Sequence, residues 1–279
     1  ATARGHIEAL AACLAKHGFD RDVRYFIAER DLAHSYLRGG ETEKAGAALR
    51  SARACVDLEG IDPVLRADLL SLELEYYKNR SYLQAARDAA TSLERMIPAI
   101  EQGVSALPAD DLRADRRAQL GSWYVQVAFV RIANGQLSSG HDILNRALER
   151  PGVADDDAAQ MLVLLAQVKE TLGDYAAGVR TAQRALTRSQ DPGLEWQARL
   201  HEAACQALRG RIGDARKALV ATADLDRERV PANDLARLQS RDALAHALVR
   251  KLDGDLEGAL DACARALRSV LKDATSVDR

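Results

Sequence analysis

Apolar and small residues in this chain recur at intervals of three and four over stretches of several helical turns, separated by short breaks carrying Gly, Pro or Asp. In LGDYAAGVRTAQRAL, Leu172 to Leu186, the small side chains of Gly178, Ala182 and Ala185 fall on one face of a helix. No run of β-branched residues alternates with polar ones far enough to make a sheet. The pattern predicts a lone helix over 3–17 and six pairs: 22–38/41–58, 62–79/81–103, 110–134/137–150, 155–172/174–190, 193–209/212–223 and 233–252/255–273. Only an all-α fold accommodates it.

The pairs repeat one another. LGDYAAGVRTAQRAL is echoed by DGDLEGALDACARAL from Asp253, LRGGETEKAGAALRSA from Leu37, KNRSYLQAARDAATSL from Lys78, IANGQLSSGHDILNRAL from Ile132 and LRGRIGDARKALVAT from Leu208. Each has a turn, a small residue five positions on, and apolar or small residues four and seven positions further. The turns fall at Gly40, Arg80, Gly135, Gly173, Gly210 and Gly254, spaced by 40, 55, 38, 37 and 44 residues. Self-similarity at this period marks a helical solenoid.

Each position has a physical reason. A Gly after the first helix can take the left-handed conformation that closes it without a Cβ clash. Asp174 and Asp255, directly after such a Gly, can accept from the free amides opening the second helix. The small residue that follows lets antiparallel helices approach closely. One hairpin cannot bury its own apolar face, so neighbours must stack.

These residues resemble the tetratricopeptide repeat family. Its G-D-Y…A…A-L pattern is met by Gly173-Asp174-Tyr175 with Ala185-Leu186, and by Gly254-Asp255-Leu256 with Ala259 and Ala266-Leu267. Leu32, Ala33 and Tyr36 match the family's L-G-x-x-Y. The likeness runs from about Asp22 to about Leu271, strongest in repeats one, four and six, and the long repeats are similar to those of bacterial regulators. It implies a right-handed superhelical solenoid of about six antiparallel helix pairs. The whole of 1–279 reads as one such domain, with a leftover helix at 1–20, repeats one to three over 22–150 and repeats four to six over 155–273. The helix at 3–17 looks like the second half of a pair. No polar capping helix closes the other end, so a fragment of a longer protein, or an array capped by another domain or a second copy, is expected. In the longest gap, IPAIEQGVSALPADDLRADRRAQ reads as a helix end, a Pro-containing loop and an extended next helix.

Composition adds exclusions. Lys and Arg number 39 against 41 Asp and Glu, with the signs interspersed, so there is no overall basic footprint for nucleic acid. Aromatic side chains for base stacking are few, at 4%. No stretch is apolar for long enough to span a membrane, and no signal peptide pattern stands at the start. Cys13, Cys55, Cys205 and Cys263 lie far apart without a C-x-x-C and read as small buried apolar residues of a reducing compartment. Cytoplasm is the expectation, or periplasm if a signal peptide has been removed.

Candidate chemistry is sparse. There is no P-loop, no H-E-x-x-H and no G-x-S-x-G, and no cofactor is expected. HEAAC sets His201 and Cys205 one helical turn apart, either as two metal ligands or as a core Cys beside a part-exposed His. Asp155, Asp156 and Asp157 either chelate a cation or suit the positive end of a helix dipole. DLRADRRAQ, with Arg113 to Arg117, is either an anion site or a solvated helix face.

The family resemblance implies a groove lined by first helices that takes a protein or peptide. Counted back from each turn, its lining would be Arg30, His34, Arg38, Tyr77, Lys78, Gln126, Gln160, Gln167, Glu170, Arg241 and Lys251. Arg30 and His34 stand where chaperone-binding members carry a Lys and an Asn. The expectation is a non-enzymatic interaction or sensory module of a bacterial signalling protein, attached to a diguanylate cyclase or helix-turn-helix output domain. The alternative is a periplasmic scaffold in polysaccharide export or secretion. A homodimer is a further expectation.

Overall fold

The computed structural model describes residues 2–80, 82–105, 110–150, 153–230 and 232–276. Among these, thirteen α-helices occur: α1 Ala3–Lys16, α2 Val23–Arg38, α3 Thr42–Ala54, α4 Pro63–Asn79, α5 Leu83–Ser105, α6 Asp110–Ala133, α7 Leu137–Leu148, α8 Asp155–Thr171, α9 Tyr175–Leu186, α10 Pro192–Leu208, α11 Ile212–Val220, α12 Ala232–Leu252 and α13 Leu256–Ser276. A single 3-10 turn at Arg227–Arg229 interrupts the connection before α12, and no strand occurs among the described residues. The fold is all-α, and every helix of the hydrophobic pattern is present. The 55-residue interval is filled mainly by length: α5 has 23 residues and α6 has 24, and Pro98 lies inside α5. The Pro-containing loop expected between them falls largely on 106–109, outside the described residues.

The chain divides into two compact units, Ala1–Gly140 and His141–Arg279. In the first, α2 packs on α1, α3 and α4, and α5 lies between α4 and α6. In the second, α9 packs on α8 and α10, α11 packs on α10 and α12, and α13 packs on α12. First helices also touch one another directly: α2 with α4 and α4 with α6 in one unit, α8 with α10 and α10 with α12 in the other. Each first helix is therefore covered on two sides, which is why α8 and α10 bury almost all their apolar residues.

Five of the six predicted turns close in one way. Gly40, Gly135, Gly173, Gly210 and Gly254 all have positive φ, between 72° and 88°. At Gly173 the glycine N–H donates to the Glu170 carbonyl at 3.1 Å, and the Asp174 N–H to the Lys169 carbonyl at 2.9 Å. This double closure satisfies the last carbonyls of α8 in the Schellman arrangement. The same pair of bonds recurs at the other four glycines, including the turns of repeats three and five, whose side chains match the pattern weakly. The capping carboxylates follow: Asp174 accepts from the Ala177 N–H at 3.2 Å, and Asp255 from the Gly258 N–H at 2.9 Å. Gly18 ends α1 with the same two bonds.

Small residues set the helix spacing in two directions. A Cβ on Gly140 would meet the Ile132 Cγ1 at 2.6 Å, so the start of α7 lies tightly on α6. A Cβ on Gly178 would instead meet the Cys205 Sγ at 2.6 Å, which belongs to the first helix of the next pair. Gly46 does the same, against the Tyr76 hydroxyl at 2.6 Å. Close approach therefore governs stacking between pairs as well as closure within them.

The cysteines divide. Cys55 and Cys205 are buried, but Cys13 and Cys263 are exposed, against the expectation that all four pack inside. Cys13 lies on α1 and Cys263 on α13, each on the outward side of its helix among other exposed residues. A helix is apolar inward only where something covers it.

Two substitutions separate the two roles of glycine. Gly173→Ala, with φ at +79°, should cost about 1 kcal/mol through the left-handed backbone alone. Gly178→Ala should cost about 1–3 kcal/mol by overpacking, and Cys205→Ala should recover part of it. Urea unfolding of the variants measures all three. Equal losses with no recovery in the double variant would contradict the assigned contact.

Candidate functional site

Each unit carries a polar face on its first helices. In the unit 1–140 it is organised around Asp68 of α4. The Asp68 carboxylate lies 3.6 Å from the Arg30 guanidinium of α2, and Arg30 also holds Asp31 at 2.6 Å. The Arg30 side chain is only 17% exposed and that of Asp68 23%, so this is not a loose surface pair. Burial pushes the Asp68 carboxyl above the ordinary carboxylate range. Arg30, Arg116 and His34 pull it back down, and Asp31 adds to the rise. A half-buried acid of α4 thus stands among two guanidinium groups and an imidazole drawn from α2 and α6.

Further along, the Ser71 hydroxyl of α4 donates to the Gln126 side-chain oxygen of α6 at 2.8 Å. The Lys78 ammonium sits 5.1 Å from the centre of the Phe129 ring, a cation–π contact between the same two helices. Arg116 also donates to Gln119 at 2.7 Å, so the basic cluster at 113–117 sends one member inward. Neither reading of that stretch, anion site or solvated face, included this contact, because Asp68 contributes from a distant helix.

In the unit 141–279 the equivalent face centres on Glu170 of α8. The His201 Nδ1–H of α10 donates to the Glu170 Oε2 at 2.7 Å. Arg241 of α12 is half-buried, and its guanidinium is held below its ordinary range first by burial, then by Arg237, with Glu170 opposing both. His201 is therefore the partner of an acid on the neighbouring first helix. Cys205, one turn along, is buried, and its thiol is pushed up to about 12, chiefly by burial and then by Glu170. Of the two readings of HEAAC, a core Cys beside a His is the one these contacts match. Asp155 pairs with Arg188 at 3.1 Å and Asp156 accepts from Ser189, tying the start of α8 to the end of the next helix.

The predicted lining residues thus sort into groups. Arg30, His34, Lys78 and Gln126 lie on the first-helix face of the unit 1–140; Glu170 and Arg241 lie on that of the unit 141–279. Arg38, Gln160 and Lys251 are exposed and Gln167 is half-buried. Tyr77 stands apart. Its ring packs edge-on to Tyr76 at 5.5 Å and sits against the core cluster shared by α2, α3 and α4. One residue is a turn of 100° on a helix, so Tyr77 and Lys78 cannot both face the same way. Asp68, Ser71, Arg116 and His201 complete the faces, and only their contacts from helix to helix mark them.

A second feature lies elsewhere on α12. An open cleft of about 410 Å³ is lined by Gln239, Asp242, Ala243, His246, Arg250 and Arg265. Helical period places the five from α12 on its side away from Arg241, and Arg265 comes from α13. Its acid is engaged: the Asp242 Oδ1 accepts from the Trp196 indole N–H and from the Thr222 hydroxyl, both at 3.2 Å. Trp196 is fully buried, with Arg227 stacked 4.7 Å from its ring centre. Among the described residues no group of three His, Cys, Asp or Glu side chains is placed to hold a metal ion, and no helix is long and apolar enough to cross a membrane.

No protein-family model matches the chain, and no curated protein matches it. Among solved structures the chain is similar to BtubC (BKLC) from P. vanneervenii, with 18% identity and a TM-score of 0.56, over 80% of this chain and 91% of that one. At that identity the likeness concerns the fold alone.

Asp68 gives a pH signature. Its raised folded pKa means that the folded chain keeps this proton to higher pH than the unfolded one. Its contribution is therefore most favourable below the unfolded pKa and is lost as pH rises through the folded one. Asp68→Asn should gain stability relative to the parent between about pH 4 and pH 7, read from urea midpoints across that range. A difference that shrinks would place Asp68 in a stabilising ion pair instead, and a flat one would show that folding leaves its carboxyl unchanged.

Proposed function

We propose that the chain is a non-enzymatic interaction module of the tetratricopeptide repeat type, whose first-helix faces take a protein or peptide segment. The observation that carries this reading is the placement of half-buried, mixed-sign side chains on those faces in both units. Arg30, Asp68 and Arg116 form one set; Glu170, His201 and Arg241 form the other. Withdrawing charges from water is unfavourable unless they are well paired, and these sit on the faces between first helices rather than in the apolar clusters. Such groups suit a partner that brings its own backbone amides, carbonyls and charges.

Regulation is the setting that agrees with this chemistry: a module that recognises a segment and passes the event to an attached output domain, such as a diguanylate cyclase or a helix-turn-helix regulator. A cytoplasmic location accompanies that reading. A periplasmic scaffold in export or secretion would use the same faces.

Panning a displayed peptide library against the 279-residue chain tests the proposal, followed by fluorescence anisotropy with the peptides recovered. Placing acids at exposed His34 and Arg38 (His34→Glu, Arg38→Glu) should weaken binding of selected peptides about tenfold or more, and affinity should fall as salt rises. Peptides that bind equally to the altered chain would place recognition elsewhere, with the α12 cleft as the next surface to map.

A further inference from the structure

The outward side of α13 differs from that of the helices before it. Leu256, Leu260 and Leu267 are 63%, 72% and 61% exposed, and Cys263 between them is exposed too. These four positions fall within one narrow stripe of the helix. The helix buries a different side, Ala259, Ala262 and Ala266, against the rest of its unit. The leucine stripe lies about 100° around the helix from this buried side, at 100° per residue, on the second helix of its pair.

The spacing of the stripe carries information. Its steps are four, three and four residues, which read the same in both directions. A two-fold axis passing between residues 261 and 262, perpendicular to the helix, returns the pattern onto itself. Under that operation Leu256 meets Leu267 of a second copy, and Leu260 meets Cys263. Steps of three and four suit any helix partner; an isologous interface is compatible with them, and the flanking charges select it.

Charges on the flank agree. Glu257 and Arg268 are both exposed and lie on the same side of the stripe, about 100° and 120° around from Leu256 at 100° per residue. The two-fold operation places Arg268 of one copy within about 3 Å of Glu257 of the other along the helix axis, at 1.5 Å rise per residue. Two symmetric ion pairs follow. A parallel pairing of the same helices leaves Glu257 and Arg268 about 16 Å apart along the axis, at 1.5 Å rise per residue, and on opposite edges of the interface, so neither ion pair forms.

We propose that the chain forms a two-fold symmetric homodimer in which α13 packs antiparallel on α13 of a second copy, through Leu256, Leu260, Cys263 and Leu267, with Glu257 facing Arg268 across the interface. The first-helix face of the unit 141–279 is built from α8, α10 and α12 and not from α13, so the dimer presents two copies of it.

Sedimentation velocity of the 279-residue chain over micromolar to high-micromolar concentrations is the test. The parent chain should dimerise, and Leu260→Asp, which touches an exposed position, should be monomeric with an unchanged helical circular dichroism spectrum. Glu257→Arg and Arg268→Glu should each weaken dimerisation about tenfold, and the double reversal should restore it to within about threefold, because the pairs re-form with signs exchanged. With Cys13 replaced by Ser, a short bismaleimide should join the two Cys263 side chains in the parent and not in Leu260→Asp. A parent that stays monomeric overturns the proposal and leaves the stripe to a different occupant. A dimer that survives Leu260→Asp, or a double reversal that stays as weak as the single ones, overturns the interface or its antiparallel register.

Discussion

A pair of helices joined by a left-handed glycine cannot hide its own apolar surface, and the rest of this structure follows from that shortfall. Each hairpin covers one side of each helix and leaves another bare. The bare side is covered only when the next pair arrives, and it arrives closely because Gly46 and Gly178 leave room for Tyr76 and Cys205. Stability is therefore a property of neighbours. The five closures at Gly40, Gly135, Gly173, Gly210 and Gly254 share a left-handed glycine and the same pair of hydrogen bonds, so each ends its first helix in the same way.

That arrangement leaves the first helices with a side between one another, and the chain uses it for polar groups. Asp68 beside Arg30, Ser71 on Gln126, and Glu170 on His201 all bridge one first helix to the next. None of these contacts belongs to a hairpin. Their energetic worth is modest, because a half-buried ion pair recovers little more than its desolvation; the shift on Asp68 shows desolvation ahead of its partners. Groups held at such cost are more readily understood as a surface for a ligand than as struts.

Much of this was legible from residue order. Helix boundaries came within a few residues, because Gly, Asp and Pro mark helix ends through local hydrogen bonding and a fixed φ. The capping roles of Asp174 and Asp255 were readable for the same reason. The lining residues were legible only in part. Counting back from a turn finds Glu170 and Arg241 but cannot say that His201 of a third helix lies against the first. It also put Tyr77 beside Lys78, although neighbours in a helix point in different directions. Exposure of Cys13 and Cys263 escaped altogether: their sequence surroundings match those of buried Cys55 and Cys205, and only the number of covering elements differs.

The sequence by itself determined that the chain is all-α, where each helix begins and ends, and that helices come in pairs of constant closure. These are consequences of interactions over four or five residues, which sequence order contains. The tertiary structure decided which acid meets which base, which cysteines are reachable, and which leucines remain uncovered on α13. Those depend on contacts between residues tens of positions apart, where the distance in space is set by the sum of many small packing choices and by no local rule.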